Sequence, residues 1–173
     1  MDEIDPNASK DQESFETSRI MAERGDPQAQ FILGVTLANE GERPDYLQAA
    51  EWYLKAAEQG HALAQFNLGI MYGRGQGVPR DKATGMMWLG RAAQLGDAGA
   101  QYELGMRQHR RSLDEKTEAA RESRIEAYKW LQLASEQGYG ESAIGCETVA
   151  LDMTHTGVIE AKRRAAAFVP GQS

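Results

Sequence analysis

The chain has 173 residues, a net charge of −7 and a pI near 5.0, so it lacks the basic stripe that holds nucleic acid or an anionic membrane surface. Its length suffices for one domain with a real core, which at this size buries about 70% of the unfolded chain's surface. A single cysteine, Cys146, excludes an internal disulfide framework, falls short of a four-ligand zinc site and suits a reducing compartment.

The amino-terminal MDEIDPNASKDQESFE is acidic and polar, with neither the basic nor the apolar region of a signal peptide. Residues 1–10 are therefore expected to be disordered, and the protein cytoplasmic unless a leader has been removed. No later run approaches the length of a membrane span.

From Gly25 onward the chain repeats itself. The block GDPQAQFILG at Gly25 returns as GHALAQFNLG at Gly60 and as GDAGAQYELG at Gly96, 35 and 36 residues apart. A second block runs in step: AEWYLKAAEQG before Gly60, MMWLGRAAQLG before Gly96 and YKWLQLASEQG before Gly138. Trp52, Trp88 and Trp130 mark it at intervals of 36 and 42, which places six extra residues in the stretch HRRSLDEKTEAARES. Self-similarity at this period is the signature of stacked supersecondary units, each burying its apolar face on the next.

Each unit reads as two helices. Asp26 and Pro27 supply an N-cap and an N1 proline for the first. Asp45, Asp81 and Ser123, seven residues before each tryptophan, are expected to cap the second helices, Ser123 with Glu126 as a capping box. Gly25, Gly60, Gly96 and Gly138 fall just past those helices, where a left-handed residue is wanted. Between Ala62 and Tyr72 the residues Ala64, Leu68 and Tyr72 form the expected core face. Gly34, Gly69 and Gly105 recur at one place in each first helix, where glycine costs about 1 kcal/mol relative to alanine. Another helix is expected to cross there too closely for a side chain. The fold class is all-α.

The stretch AEWYLKAAEQGHALAQFNLGIMYGRGQGVPRD resembles a Sel1-like repeat, a relative of the tetratricopeptide repeat, in its LGIMY, GQGVPRD and Trp-Tyr-x-Lys-Ala-Ala segments. The resemblance is closest from Asp45 to Gly105 and extends to Gly25–Leu37 and Ala127–Gly138. It implies a right-handed α-α solenoid of helix-pair repeats, with residues 1–173 as a single domain. A degenerate half-repeat helix would occupy 11–24, and repeats 25–60, 61–96 and 97–138, the last with the six-residue insertion near 108–122. Capping helices would occupy 139–169, with Thr154 or Thr156 as the cap of the closing one.

Catalytic, cofactor and metal chemistry finds no foothold. GRGQG at Gly73–Gly77 lacks the glycine spacing of a dinucleotide loop and the Gly-Lys-Ser/Thr of a Walker loop, and reads as a helix-to-helix turn. His61, His109 and His155 lie in different units without metal-ligand spacing. Cys146 stands in register with Leu68 and Leu104 and reads as core, as does the aromatic stripe of Trp52, Trp88, Trp130 and Tyr53. Glu51, Glu58 and Glu103 sit on solvated faces.

The first helices of such arrays line a concave side. With the core face assigned as above, Leu63, Asn67, Met71 and Arg74 are left for the groove, and the repeat adds Gln28, Ile32 and Asn39 before them and Glu103, Arg107 and Arg110 after them. This groove is expected to take an extended or helical peptide with an acidic end near Arg107 and Arg110. Carboxylate-gripping tetratricopeptide relatives carry Lys, Asn and Arg where this chain has Ile32, Asn67 and Glu103, so no carboxylate clamp is expected. The insertion reads as an exposed loop or frayed helix extensions, or alternatively as a partner contact. The resemblance implies a non-enzymatic protein–protein scaffold or adaptor, here expected as a monomer. An inhibitor or immunity-type protein that blocks a partner enzyme is the alternative, and an enzyme the more distant one.

Overall fold

The structure, a computed structural model, describes residues 16–39, 44–113 and 117–172, so the expectation of disorder for residues 1–10 lies outside the described residues. All regular structure among them is helical: α1 (16–23), α2 (Pro27–Asn39), α3 (Tyr46–Glu58), α4 (Ala62–Arg74), α5 (Lys82–Gln94), α6 (Ala98–Leu113), α7 (Glu118–Glu136), α8 (Ser142–Leu151) and α9 (His155–Ala166). They fall into two compact units, Met1–Gly85 and Met86–Ser173, divided within α5.

The starts of the helices follow from single polar side chains. Asp26, Asp45, Asp81 and Asp97 each accept the backbone N–H three residues on, at 2.7, 2.9, 3.2 and 2.7 Å. The Thr84 hydroxyl and N–H hold the Asp81 carboxyl below its ordinary range, whereas burial pushes that of Asp97 up. Ser123 is not a cap. Helix α7 begins six residues earlier, where the Thr117 hydroxyl accepts the Ala120 N–H at 3.2 Å. That extension buries Ala120, and it makes α6 and α7 16 and 19 residues long against 13 in each of α2 to α5. Of the two closing-helix candidates, Thr154 is the cap, its hydroxyl accepting the Gly157 N–H at 3.2 Å. Gly25, Gly60, Gly96 and Gly138 all have φ between +71° and +96°, the left-handed exits expected of them.

Three glutamines weld each helix pair to its predecessor. Gln30, Gln65 and Gln101 are buried, and their amides donate to the carbonyls of Ala22, Ala57 and Ala93 at 3.1, 2.9 and 3.3 Å. Each gives a second donor to a carbonyl at the end of the helix before it, which already accepts the N–H of Gly25, Gly60 or Gly96. The amide oxygens of Gln30 and Gln101 accept in turn from Gln59 and Gln137, at 2.7 and 2.9 Å. Gln65 Oε1 has no such partner, and the residue in register with Gln59 and Gln137 is Leu95.

The close crossings are real. In the first unit a Cβ on Gly34 would sit 2.7 Å from the Tyr53 ring of α3, and one on Gly85 of α5 would sit 2.8 Å from the Gly69 carbonyl of α4. Helices α4 and α5 thus meet backbone to backbone at the recurring glycine. In the second unit a Cβ on Gly105 would lie 2.6 Å from Leu131 Cγ of α7. Around these crossings pack Ala22, Ala29 and Leu33 in one unit and Ile125, Tyr128, Leu131, Cys146 and Val149 in the other. Cys146 is core as expected, its thiol pushed by burial up to about 11.

Trp88 and Trp130 are buried, and Trp52 is half-buried against the Ala22 cluster. Above them lie Lys55, Arg91 and Lys129, at 3.7, 4.7 and 4.1 Å from the respective ring centroids. In the second unit Arg164 of α9 donates to Glu160 and Glu126 at 2.8 Å each and to Glu122, which clamps α9 onto α7.

Candidate functional site

In the first unit α2, α3 and α4 enclose a hollow of about 330 Å³. Helix α2 contributes Val35, Ala38 and Asn39, α3 contributes Tyr46 and Tyr53, and α4 contributes Asn67, Ile70, Met71 and Arg74, with Gln76 from the following turn. Tyr53 is the hinge of this arrangement. Because residue 34 has no side chain, the Tyr53 ring settles against α2, and its hydroxyl meets the Asn67 side chain. Burial raises the pKa of that hydroxyl, and the hydrogen bond from Asn67 opposes the rise. Arg74, in the last turn of α4, supplies a cation in an otherwise amide-rich and apolar wall.

Asn39, Asn67, Met71 and Arg74, four of the expected groove residues, therefore come together. Met71 does so from a buried position, 5% exposed, and Tyr72 rather than Met71 is the partly exposed residue. The helical wheel explains the correction: Met71 lies about 20° around the axis from Ala64, whereas Tyr72 lies about 80° away. Gln28, Ile32 and Leu63 do not line this hollow. Gln28 accepts from His61 at 3.0 Å, while Ile32 and Leu63 are 40% and 48% exposed on their own helix faces. In the second unit Glu103 and Arg107 pair with each other at 3.3 Å, Arg107 also reaches the Met86 sulfur at 3.3 Å, and Arg110 is exposed.

Tyr46, Ile70, Val35 and Gln76 were not marked by the sequence. The one available signal was the pairing of Gly34 with Tyr53, a gap and the ring that fills it. His61 was also missed as a helix cap. Its Nδ1 accepts the Ala64 N–H at 3.2 Å, so Nε2 carries the proton and donates to Gln28, and the ring stacks on Phe31 with centroids 4.6 Å apart. Burial lowers its pKa, which keeps the accepting nitrogen unprotonated.

The hollow offers hydrogen-bonding amides, two tyrosine hydroxyls and a guanidinium, with no acid–base pair among its lining residues. No group of three or more His, Cys, Asp or Glu among the described residues is placed to hold a metal ion, and none of the described helices is long and apolar enough to cross a membrane.

The family described as Sel1 repeat matches residues 27–61, 62–97 and 98–139. The chain belongs to the Sel1-repeat family. Sel1 repeats generally mediate protein–protein interaction. Among solved structures, the chain is similar to c5321, a protective antigen of uropathogenic Escherichia coli displaying an SLR fold, with a TM-score of 0.76 and 26% identity over 91% of this chain and 32% of that one. A Sel1 repeat protein from Oxalobacter formigenes gives a TM-score of 0.65 and 27% identity over 90% of this chain and 64% of that one. The helix pairs are thus those of an α-α solenoid with tetratricopeptide-like repeats. Two curated relatives, the ERAD-associated E3 ubiquitin-protein ligase components HRD3A and HRD3B of Arabidopsis thaliana, are 39% and 38% identical over 61 residues, which is 35% of this chain. The chain spans only 9% and 10% of their lengths.

Proposed function

We propose that the protein is a non-enzymatic scaffold or adaptor of the cytoplasm, and that the hollow of its first unit seats a segment of a partner protein. The observation that carries this reading is the make-up of that hollow: Asn39, Asn67 and Gln76 beside Arg74, in a chain whose net charge is −7. Amide side chains both donate and accept, which suits a peptide backbone. The guanidinium suits an acidic side chain of the same segment. Gln28, Ile32 and Leu63 would extend the contact along the first unit. Arg107 and Arg110 offer the second unit a basic surface of its own for an acidic residue, moderated by Glu103 at Arg107. The curated relatives are named as components of a larger assembly, in keeping with an adaptor's work.

The test compares what the wild type and an Asn67→Glu, Arg74→Glu variant retain from the source lysate, identified by mass spectrometry. A species held by the wild type alone supports the hollow as the seat. Identical retained sets, with both proteins equally folded by circular dichroism, overturn it.

A further inference from the structure

The hollow of the first unit has an internal order that narrows what it can seat. Asn67, Met71 and Arg74 follow one another down a single face of α4, over about 10.5 Å at about 1.5 Å per residue. At the Asn67 end the Tyr53 hydroxyl takes one amide proton of Asn67, whose oxygen is left to accept. Between the two ends comes Ile70, with Val35 and Ala38 of α2 lining the same hollow. At the far end is the exposed Arg74 guanidinium, which makes no ion pair or side-chain hydrogen bond with any described residue. No carboxylate stands among the lining residues, so Arg74 is the one charge they present.

The turn after α4 completes the wall. Gly75 and Gly77 are both left-handed, at φ +76° and +68°, and a Cβ on Gly77 would collide with the Tyr46 carbonyl. The turn thus rests directly on the first residue of α3. Gln76, held between the two glycines, lines the hollow with a side-chain amide that has no partner among the described residues.

These positions set a spacing. An extended chain rises about 3.3 Å per residue and turns every second side chain to the same face, so such side chains recur at about 6.6 Å. Ile70 lies about 6 Å from Arg74 along the helix axis, which matches one such step. The volume of about 330 Å³ is the room of about eleven waters at about 30 Å³ each, enough for a large aliphatic side chain and the backbone beside it.

We infer that the occupant is an extended segment of a partner protein in which a large aliphatic residue and an acidic residue stand two apart. The aliphatic side chain packs on Ile70 and Val35, the carboxylate pairs with Arg74, and the backbone between them bonds to the amides of Asn67 and Gln76. This rests on the reading of the hollow as a partner's seat and adds the sequence that the seat selects.

The test uses the full chain labelled with nitrogen-15 and follows the side-chain amide resonances of Asn67 and Gln76. The probe is the peptide Gly-Ser-Glu-Ser-Leu-Ser-Glu-Ser-Gly, whose leucine has an acid two residues away in either chain direction. An isomer, Gly-Ser-Ser-Glu-Leu-Glu-Ser-Ser-Gly, sets the same acids next to the leucine. A third peptide replaces both acids of the probe by serine, and a fourth replaces its leucine by alanine. The expected result is a saturable shift with the probe and about tenfold weaker binding of each of the others, the worth of one charged hydrogen bond or one buried aliphatic side chain. Arg74→Gln should bind the probe and its serine counterpart alike, whereas a merely structural role for Arg74 would weaken both and keep their ratio. Equal binding of the four peptides by the wild type, or an acid preference that survives in Arg74→Gln, overturns the inference. Shifts of the same amides on concentrating the protein alone would assign the hollow to a second copy and overturn it as well. Amides that no peptide moves also overturn it: if the wild type alone still holds a species from the lysate, the seat stands and only the selected sequence falls.

Discussion

Helix α5 contains two glycines, and alanine at each should act in opposite directions. In a helix interior, replacing glycine by alanine gains about 1 kcal/mol from backbone entropy alone. At Gly90 the new Cβ meets nothing within 4 Å, so Gly90→Ala should realise most of that gain. At Gly85 it would lie 2.8 Å from the Gly69 carbonyl oxygen and 3.1 Å from the Gly73 nitrogen. Ordinary contact begins at 3.4 Å, so α4 and α5 must part by about 0.6 Å, and both obstacles are backbone atoms that no rotamer change can move. Overpacking of this kind costs about 1 to 3 kcal/mol, which leaves Gly85→Ala with a net loss of up to about 2 kcal/mol. The two variants should then differ by about 1 to 3 kcal/mol, or about 2 to 12 °C in thermal midpoint for a chain of this size. Calorimetry of the three proteins in one buffer is the assay. A Gly85→Ala midpoint at or above that of Gly90→Ala would refute backbone contact at the crossing.

Three further outcomes are expected. His61 caps α4 through an unprotonated nitrogen and its folded pKa lies below 6.5, so its contribution to stability is complete above 6.5 and is lost as pH falls through the depressed value. His61→Asn keeps an acceptor, and urea midpoints across this range should fall less steeply for it than for the wild type. Arg163 and Arg164 hold the partly exposed Glu160 carboxyl down at about 2, which stabilises the fold above 4.5 and ceases to as pH falls toward 2. Arg164→Gln should melt lower than the wild type near neutrality by a margin that shrinks in high salt and toward pH 2; a margin constant in both would exclude the carboxylate clamp. Gln101→Ala removes the second donor of the Ala93 carbonyl and the nearest acceptor of the Gln137 amide, two hydrogen bonds that should cost about 1 to 3 kcal/mol together in denaturant unfolding, whereas a loss below 0.5 would mean that water replaces the amide.

Much of the molecule was legible because its signals are local or strictly periodic. The return of Gly25 at Gly60 and Gly96, the aspartate caps and the tryptophan interval fixed the helix pairs before any contact was known. The glycine at positions 34, 69 and 105 announced the crossings, since a helix accepts that residue three times only for a reason of packing.

Other features depend on which neighbour covers a side chain, and there the reading needed the tertiary structure. Ser123 and Thr117 are both competent caps; Thr117 prevails because the added turns bury Ala120. Met71 and Tyr72 differ by one residue on the wheel, and the helices packed around α4 select Met71 for burial. The glutamine of each Ala-Gln-Phe or Ala-Gln-Tyr looks like a surface residue until the preceding helix end brings a carbonyl to it. By itself the sequence determined the period, the caps and the places where helices approach, because these rest on backbone geometry that repeats. Only the tertiary structure decided which residues share a hollow, because the Tyr53 ring of α3 packs where Gly34 of α2 has no side chain and its hydroxyl meets Asn67 of α4.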